Sequence, residues 1–186
     1  MDPDWAIDFR ARMLSFELRH PLRKGEVSAS LKVRITSGCF HREHSPCAYE
    51  LIDRHLASVP LSQRSKFDLI EHESGPELLV HLAPVTAGVT LAKSVIDLVI
   101  AIVKARSEGI KQGDRPDYPV EIIVRRVYDR DRFKEETVLR IGHDDPVDAA
   151  DIEARVDAAL NKVTAADRAK SDRKQRKGAP RNRRAS

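Results

Sequence analysis

The sequence predicts an α+β domain: mostly antiparallel β-hairpins alternating with three helices in ββα-like units, the sheet packed on a long apolar helix. Three observations carry this. Val27, Ala29, Leu31, Val33 and Ile35 alternate with Ser28, Ser30, Lys32, Arg34 and Thr36, the period of two that marks a strand with one buried face. Turn-forming clusters at 21–25, 73–76 and 129–132 separate runs of strand length. Between 85 and 103 the chain is mostly apolar, which reads as a helix buried on most sides.

Taking the elements in order, the strand over 27–35 is expected to pair with 14–20 through Pro21-Leu22-Arg23-Lys24-Gly25. Ile7, Phe9, Ala11 and Met13 also alternate with polar residues. The first strand is therefore expected to begin near Ala6 and to bulge at Leu14-Ser15, where the parity changes. A short helix from Pro3 is the competing reading. Ser45-Pro46 predicts a helix start, with a capping hydroxyl before a proline at the first helical position. Ala48, Leu51, Ile52 and Leu56 form its apolar face, and Val59-Pro60 ends it.

A second hairpin is expected from 66–72 and 77–83, with His72 and His81 meeting across it. The long helix should follow Pro84 and close at Gly109. Lys93 and Asp97 lie inside it, each costing roughly 2.5–3.5 kcal/mol at a bilayer centre. They are four apart and can pair on the helix surface, so no membrane span is expected. In the third hairpin Val120, Ile122 and Val124 should face inward with Phe133, Thr137, Leu139 and Ile141. A last helix, capped by Asp144-Asp145-Pro146, should bury Ile152, Val156, Leu160 and Val163.

Of the 186 residues, 41% are hydrophobic and 33% charged, enough apolar surface for one core. A single domain is expected over 1–167, divisible into units 1–62, 63–112 and 113–167. The remainder, 168–186, holds nine Lys/Arg and one Asp, a charge of +8 that leaves −4 for the body. It has no apolar residue larger than Ala, so it is expected to be a disordered basic tail. Arg173, Lys174, Arg176, Lys177, Arg181, Arg183 and Arg184 are its candidate nucleic-acid contacts. They would bind without sequence preference, since no aromatic residue is present to stack on bases. Affinity for a polyanion should then fall steeply with salt, and deleting 168–186 should abolish it. Binding that survives the deletion in a salt titration would move the site to Lys32, Arg34 or the third hairpin.

Two cysteines exclude a disulfide-dense scaffold, and the acidic opening Met1-Asp2-Pro3-Asp4 lacks a secretory pattern. Cytoplasmic location is the expectation. The nucleotide-binding, nucleophile-elbow and zinc-protease motifs are absent from the sequence. No catalytic or cofactor-binding residue is therefore assigned. The densest metal-capable group is Cys39-Phe-His41-Arg-Glu-His44-Ser-Pro-Cys47. In one reading Cys39, His41, His44 and Cys47 hold zinc, two thiolates and two imidazoles being a tetrahedral donor set. In the other, the segment is a loop with Cys47 buried and the histidines solvated.

The function these features predict is that of a bacterial-type, non-enzymatic interaction or regulatory adaptor. It would act by protein contact or self-association through the 86–108 helix, with the basic tail making non-specific contacts to anions. The alternatives are a nucleic-acid-binding accessory protein, and a zinc- or cysteine-dependent enzyme using the Cys39–Cys47 region.

Overall fold

The computed structural model describes residues 4–85, 88–116, 119–129, 132–142 and 144–161. The basic tail, Lys162 and Val163 lie outside them. The chain runs α1 (Asp4–Arg19), β1 (Val27–Ile35), α2 (Pro46–Ser58), α3 (Leu61–Arg64), β2 (Phe67–Ile70), β3 (Glu77–Val85), β4 (Gly88–Thr90), α4 (Lys93–Lys111), β5 (Val120–Asp129) and β6 (Arg132–Ile141). A further helix, α5, covers 149–161. The α+β class is as the sequence predicts, with five helices among the described residues where three were expected.

The strands form an antiparallel sheet in the order β2-β3-β1-β5-β6, and β4 pairs with the end of β3. The central strand is β1, with Leu31 opposite Leu78 on one side and Val124 on the other. Its apolar set is as expected, with Ala29, Leu31, Val33 and Ile35 all buried, but the other face is not wet, since Ser28 and Ser30 are buried too. The apolar set joins Leu78, Val80, Leu82, Ile122 and Val124 in one core with α2, α4 and Ile152, Val156, Ala159 and Leu160 of α5. The opposite face carries α1, whose Phe9, Met13 and Phe16 pack with Leu79, Ile70 and Phe133. The molecule is thus layered helix, sheet, helix.

The first strand expected from 6–20 is instead α1. The cause is two apolar stripes on one helix. Ala6, Phe9, Met13 and Phe16 are buried on the sheet, while Ile7, Ala11, Leu14 and Leu18 lie on the side facing away. Interleaved along the chain, the two stripes imitate alternation. With no strand before it, β1 pairs with β3 and β5. The second and third hairpins form where expected. A bulge beside Ile122/Ile123 pairs Ile122 with Leu139 but Ile123 with Thr137, and the changed parity sends Phe133 to the α1 face. There its ring meets Trp5 at 5.1 Å and Phe9 at 5.5 Å.

Helix ends also differ from expectation. Strand β4 takes 88–90, so α4 begins at Lys93, and it passes through Gly109 to Lys111. Gly109 marks a helix crossing: a Cβ there would lie 2.8 Å from the Ala48 Cβ of α2. The turn after α4 uses Gly113, at φ +114°, and delivers Asp114 to the start of α2. The Asp114 carboxylate accepts the Cys47 N–H (3.2 Å) and Ala48 N–H (2.9 Å), the role expected of Ser45. The Ser45 hydroxyl accepts from the buried Arg106 at 3.0 Å. Likewise α5 is capped by Asp148, which accepts the Ala150 N–H at 2.9 Å, while Asp145 accepts the Gly142 N–H at 2.7 Å.

Candidate functional site

Of the four expected metal ligands, the structure brings three together. One ligand atom each from Cys39, His41 and His44 lie within 4.8 Å of one another. The segment leaves β1 through Gly38, at φ +92°. Phe40 anchors it, donating its N–H to the Glu73 carbonyl (2.6 Å) and accepting the Tyr49 hydroxyl (3.2 Å). A helical turn follows, in which His44 and Ser45 donate backbone N–H groups to the His41 carbonyl at 3.1 and 2.9 Å. Residues three apart on such a turn share a side, and the imidazole centroids are 4.6 Å apart. Arg42 points elsewhere, clamped by Asp53 (2.5 Å) and Glu71 (2.7 Å).

Cys47 stands outside this group. Its Sγ contacts the Gln112 carbonyl at 3.8 Å. Desolvation and then the neighbouring Asp114 push its thiol up, favouring the protonated form. Both cysteines are free thiols.

A second polar cluster, which the sequence did not reveal, lies between α1 and the sheet. Glu77 opens β3 with a fully buried side chain. Its Oε1 accepts the Ser30 hydroxyl at 2.6 Å and Arg125 Nη1 at 3.1 Å. Its Oε2 accepts Arg12 Nη2 at 3.1 Å and pairs with His72 Nε2 at 2.9 Å. Arg125 also binds Glu135 at 2.6 Å, and its guanidinium lies 4.9 Å from the Trp5 ring and 5.5 Å from that of Phe9. Desolvation alone would raise the Glu77 carboxyl. The bonds from His72 and Ser30 and the charges of Arg125 and Arg12 outweigh it, holding the group at about 2. With every lone-pair direction in use, Glu77 is an anchor for α1 rather than an acid or base. His72 therefore does not meet His81, which contacts the Ser28 hydroxyl (3.3 Å) and the His20 carbonyl (2.7 Å). Lys32 lies opposite Glu77 in the sheet, and burial followed by Arg125 lowers its ammonium pKa. Arg34 and Arg140 both pair with Glu121, at 3.1 Å each. Cross-strand ion pairing with Glu121 accounts for Arg34 and Arg140.

The expected contact surface on the 86–108 helix is corrected. Val95, Ile96, Leu98, Val99, Ile100, Ile102 and Val103 are all buried in the domain's own core. What α4 shows outside is polar, including the Lys93–Asp97 pair at 3.2 Å. A slit beside Val103, Ile110, Val120 and Ile141 has a volume of about 10 Å³, room for one water and no substrate. The open groove between α1 and β2 has its charges engaged, Arg19 with Asp68 at 2.5 Å and Arg12 with Glu77.

The exposed apolar surface is concentrated on α1. Ile7 is 55% exposed, Leu14 60% and Leu18 75%, with exposed Ala11 between them. Their spacing of four, three and four residues places them in one line on the helix side away from the sheet. Among the described residues, no helix is long and apolar enough to cross a membrane. No family model, no curated protein and no solved structure matches this chain.

Proposed function

We propose that the chain is a non-enzymatic interaction protein whose contact surface is the outer stripe of α1, and that this stripe docks on a second copy of itself. The supporting observation is a helix with two apolar faces, one already packed on the sheet and one open. Ile7, Ala11, Leu14 and Leu18 follow the spacing of a two-helix seam. Arg10 and Glu17 lie on one flank of it, the Arg10 guanidinium also lying 5.8 Å from the Phe133 ring on the sheet side.

The charges select the occupant and its direction. In an antiparallel two-fold pairing, Ile7 meets Leu18 of the second copy and Ala11 meets Leu14. Arg10 then faces Glu17 twice, and Asp8 faces Ser15 on the other flank. A parallel pairing sets Arg10 against Ser15 and loses both ion pairs. Such a surface is smaller than the roughly 800 Å² per partner of a standard interface, so the dimer is expected to be weak and reversible.

Sedimentation over a concentration series tests this on the full chain. The mass should rise toward twice that of the chain, and Leu14→Glu with Leu18→Glu should hold it at one chain with an unchanged circular dichroism spectrum, because both sites are solvent-facing. Arg10→Glu should weaken association, and Arg10→Glu with Glu17→Arg should restore it. A single-chain mass at every concentration, or association indifferent to the Leu14 and Leu18 changes, overturns the proposal. The basic tail would add non-specific contacts to anions, an additional part of this proposal that rests on its +8 charge.

A further inference from the structure

The geometry points to a zinc site formed by Cys39, His41 and His44, with the fourth coordination position open to solvent or an added ligand. This goes beyond the α1 contact and rests on different residues. One thiolate and two imidazoles suit zinc, whereas calcium and magnesium call for oxygen ligands. Zinc bonds of 2.0–2.3 Å at tetrahedral angles set ligand atoms about 3.3–3.6 Å apart. The three atoms here lie within 4.8 Å, so side-chain rotations of about an ångström close the site.

The surrounding contacts hold the backbone while leaving these side chains available. Phe40, Arg42 and Ser45, interleaved with the three ligands, carry the anchoring bonds to Glu73, Tyr49, Asp53, Glu71 and Arg106. The side chains of Cys39 and His44 make no hydrogen bond among the described residues. His41 accepts a long one, 3.3 Å, from the Glu43 N–H to Nδ1. The arrangement separates anchoring side chains from ligand side chains along 39–45, and the anchoring side-chain bonds come from residues other than the three candidates. Cys47 is tied to the far side of the α2 start, beside Gln112 and Asp114. With His44 exposed, the vacant position faces water, the arrangement of three-ligand sites rather than of closed structural ones. Binding would release the Cys39 thiol proton to solvent, so affinity should rise with pH.

The test uses the tag-free full chain, stripped with chelator, titrated with cobalt and then displaced by zinc. One equivalent of cobalt per chain should bind, with the thiolate-to-cobalt charge-transfer absorption in the near ultraviolet. Cys39→Ser should remove that absorption. His41→Ala and His44→Ala should each weaken zinc binding by more than about 100-fold, the upper end of what losing an outer-shell partner costs. Cys47→Ser should leave stoichiometry, absorption and affinity unchanged. Because the three ligands are not buried, all variants should keep the wild-type circular dichroism spectrum. Failure to bind stoichiometric metal overturns the inference. So does an absorption that persists in Cys39→Ser, or an affinity that falls in Cys47→Ser.

Discussion

Glu77→Ala is expected to lower the unfolding free energy by about 3–5 kcal/mol, the range for removing one partner of a buried ion pair. The change leaves Arg125 and Arg12 facing each other without the carboxylate between them. It also strips the Ser30 hydroxyl and His72 ring of their acceptor. Glu77→Gln preserves volume and one acceptor oxygen but not the charge, and should cost a large part of the same amount. The acid limb of the stability curve distinguishes the two effects. The carboxyl titrates at about 2 in the folded protein against 4.5 for the free group, so its stabilisation is fully present above pH 4.5. It is lost as the pH falls from 4.5 through 2. The difference corresponds to about 3 kcal/mol. Urea unfolding between pH 5 and pH 2 should show this slope in the wild type and a clear reduction in Glu77→Gln. Equal slopes would mean that Glu77 gains nothing from its four partners.

The same cluster shows why the α1 sequence reads as strand. On the sheet face opposite the core, β1 carries Ser28, Ser30, Lys32 and Arg34, which reads as a wet surface. It is polar because an ionic cluster lies there, under a helix, and Arg12 of α1 reaches down into it. Covering such a face needs a helix with its own apolar stripe, and α1 supplies Phe9, Met13 and Phe16. Its second stripe spoiled the 3.6-residue period that would have identified it. Glu77 and Arg125 were invisible for a related reason: they are 48 residues apart and meet only because β3 and β5 both flank β1.

Local chemistry survived better than long-range pairing. The second and third strand pairs, the apolar set of β1 and the Pro46 helix start are borne out, because each depends on a few neighbouring residues, whereas the first hairpin is not, α1 standing where its first strand was expected. Caps supplied from a distance were not legible. Asp114 reaches the α2 N-terminus from beyond α4, and nothing near Ser45 announces it. The metal-capable group was legible in part for the same reason. Cys39, His41 and His44 share one turn, whereas the position of Cys47 is set by α2, already a helix by that point.

The α4 helix yields the second large effect. Leu98 is fully buried in the core shared by the sheet, α2 and α5, so Leu98→Ala should cost about 2–5 kcal/mol. Lys93 is largely exposed and, among the described residues, forms its ion pair with Asp97 on its own helix. Lys93→Ala should cost about 0.5 kcal/mol or less, as exposed i,i+4 pairs do. Ile96 and Ile100 decide whether this helix is core or contact. Both belong to the buried cluster, at 2% and 9% exposure, so a carboxylate introduced there is placed within apolar packing. Ile96→Glu and Ile100→Glu are therefore expected to abolish the cooperative thermal transition, since an unpaired buried charge exceeds what a marginally stable domain tolerates. Their contrast with Leu14→Glu and Leu18→Glu on α1 is the informative comparison. The α4 changes should remove the fold and the α1 changes only the association. If Ile96→Glu and Ile100→Glu stay folded while losing mass in sedimentation, α4 rather than α1 carries the subunit contact.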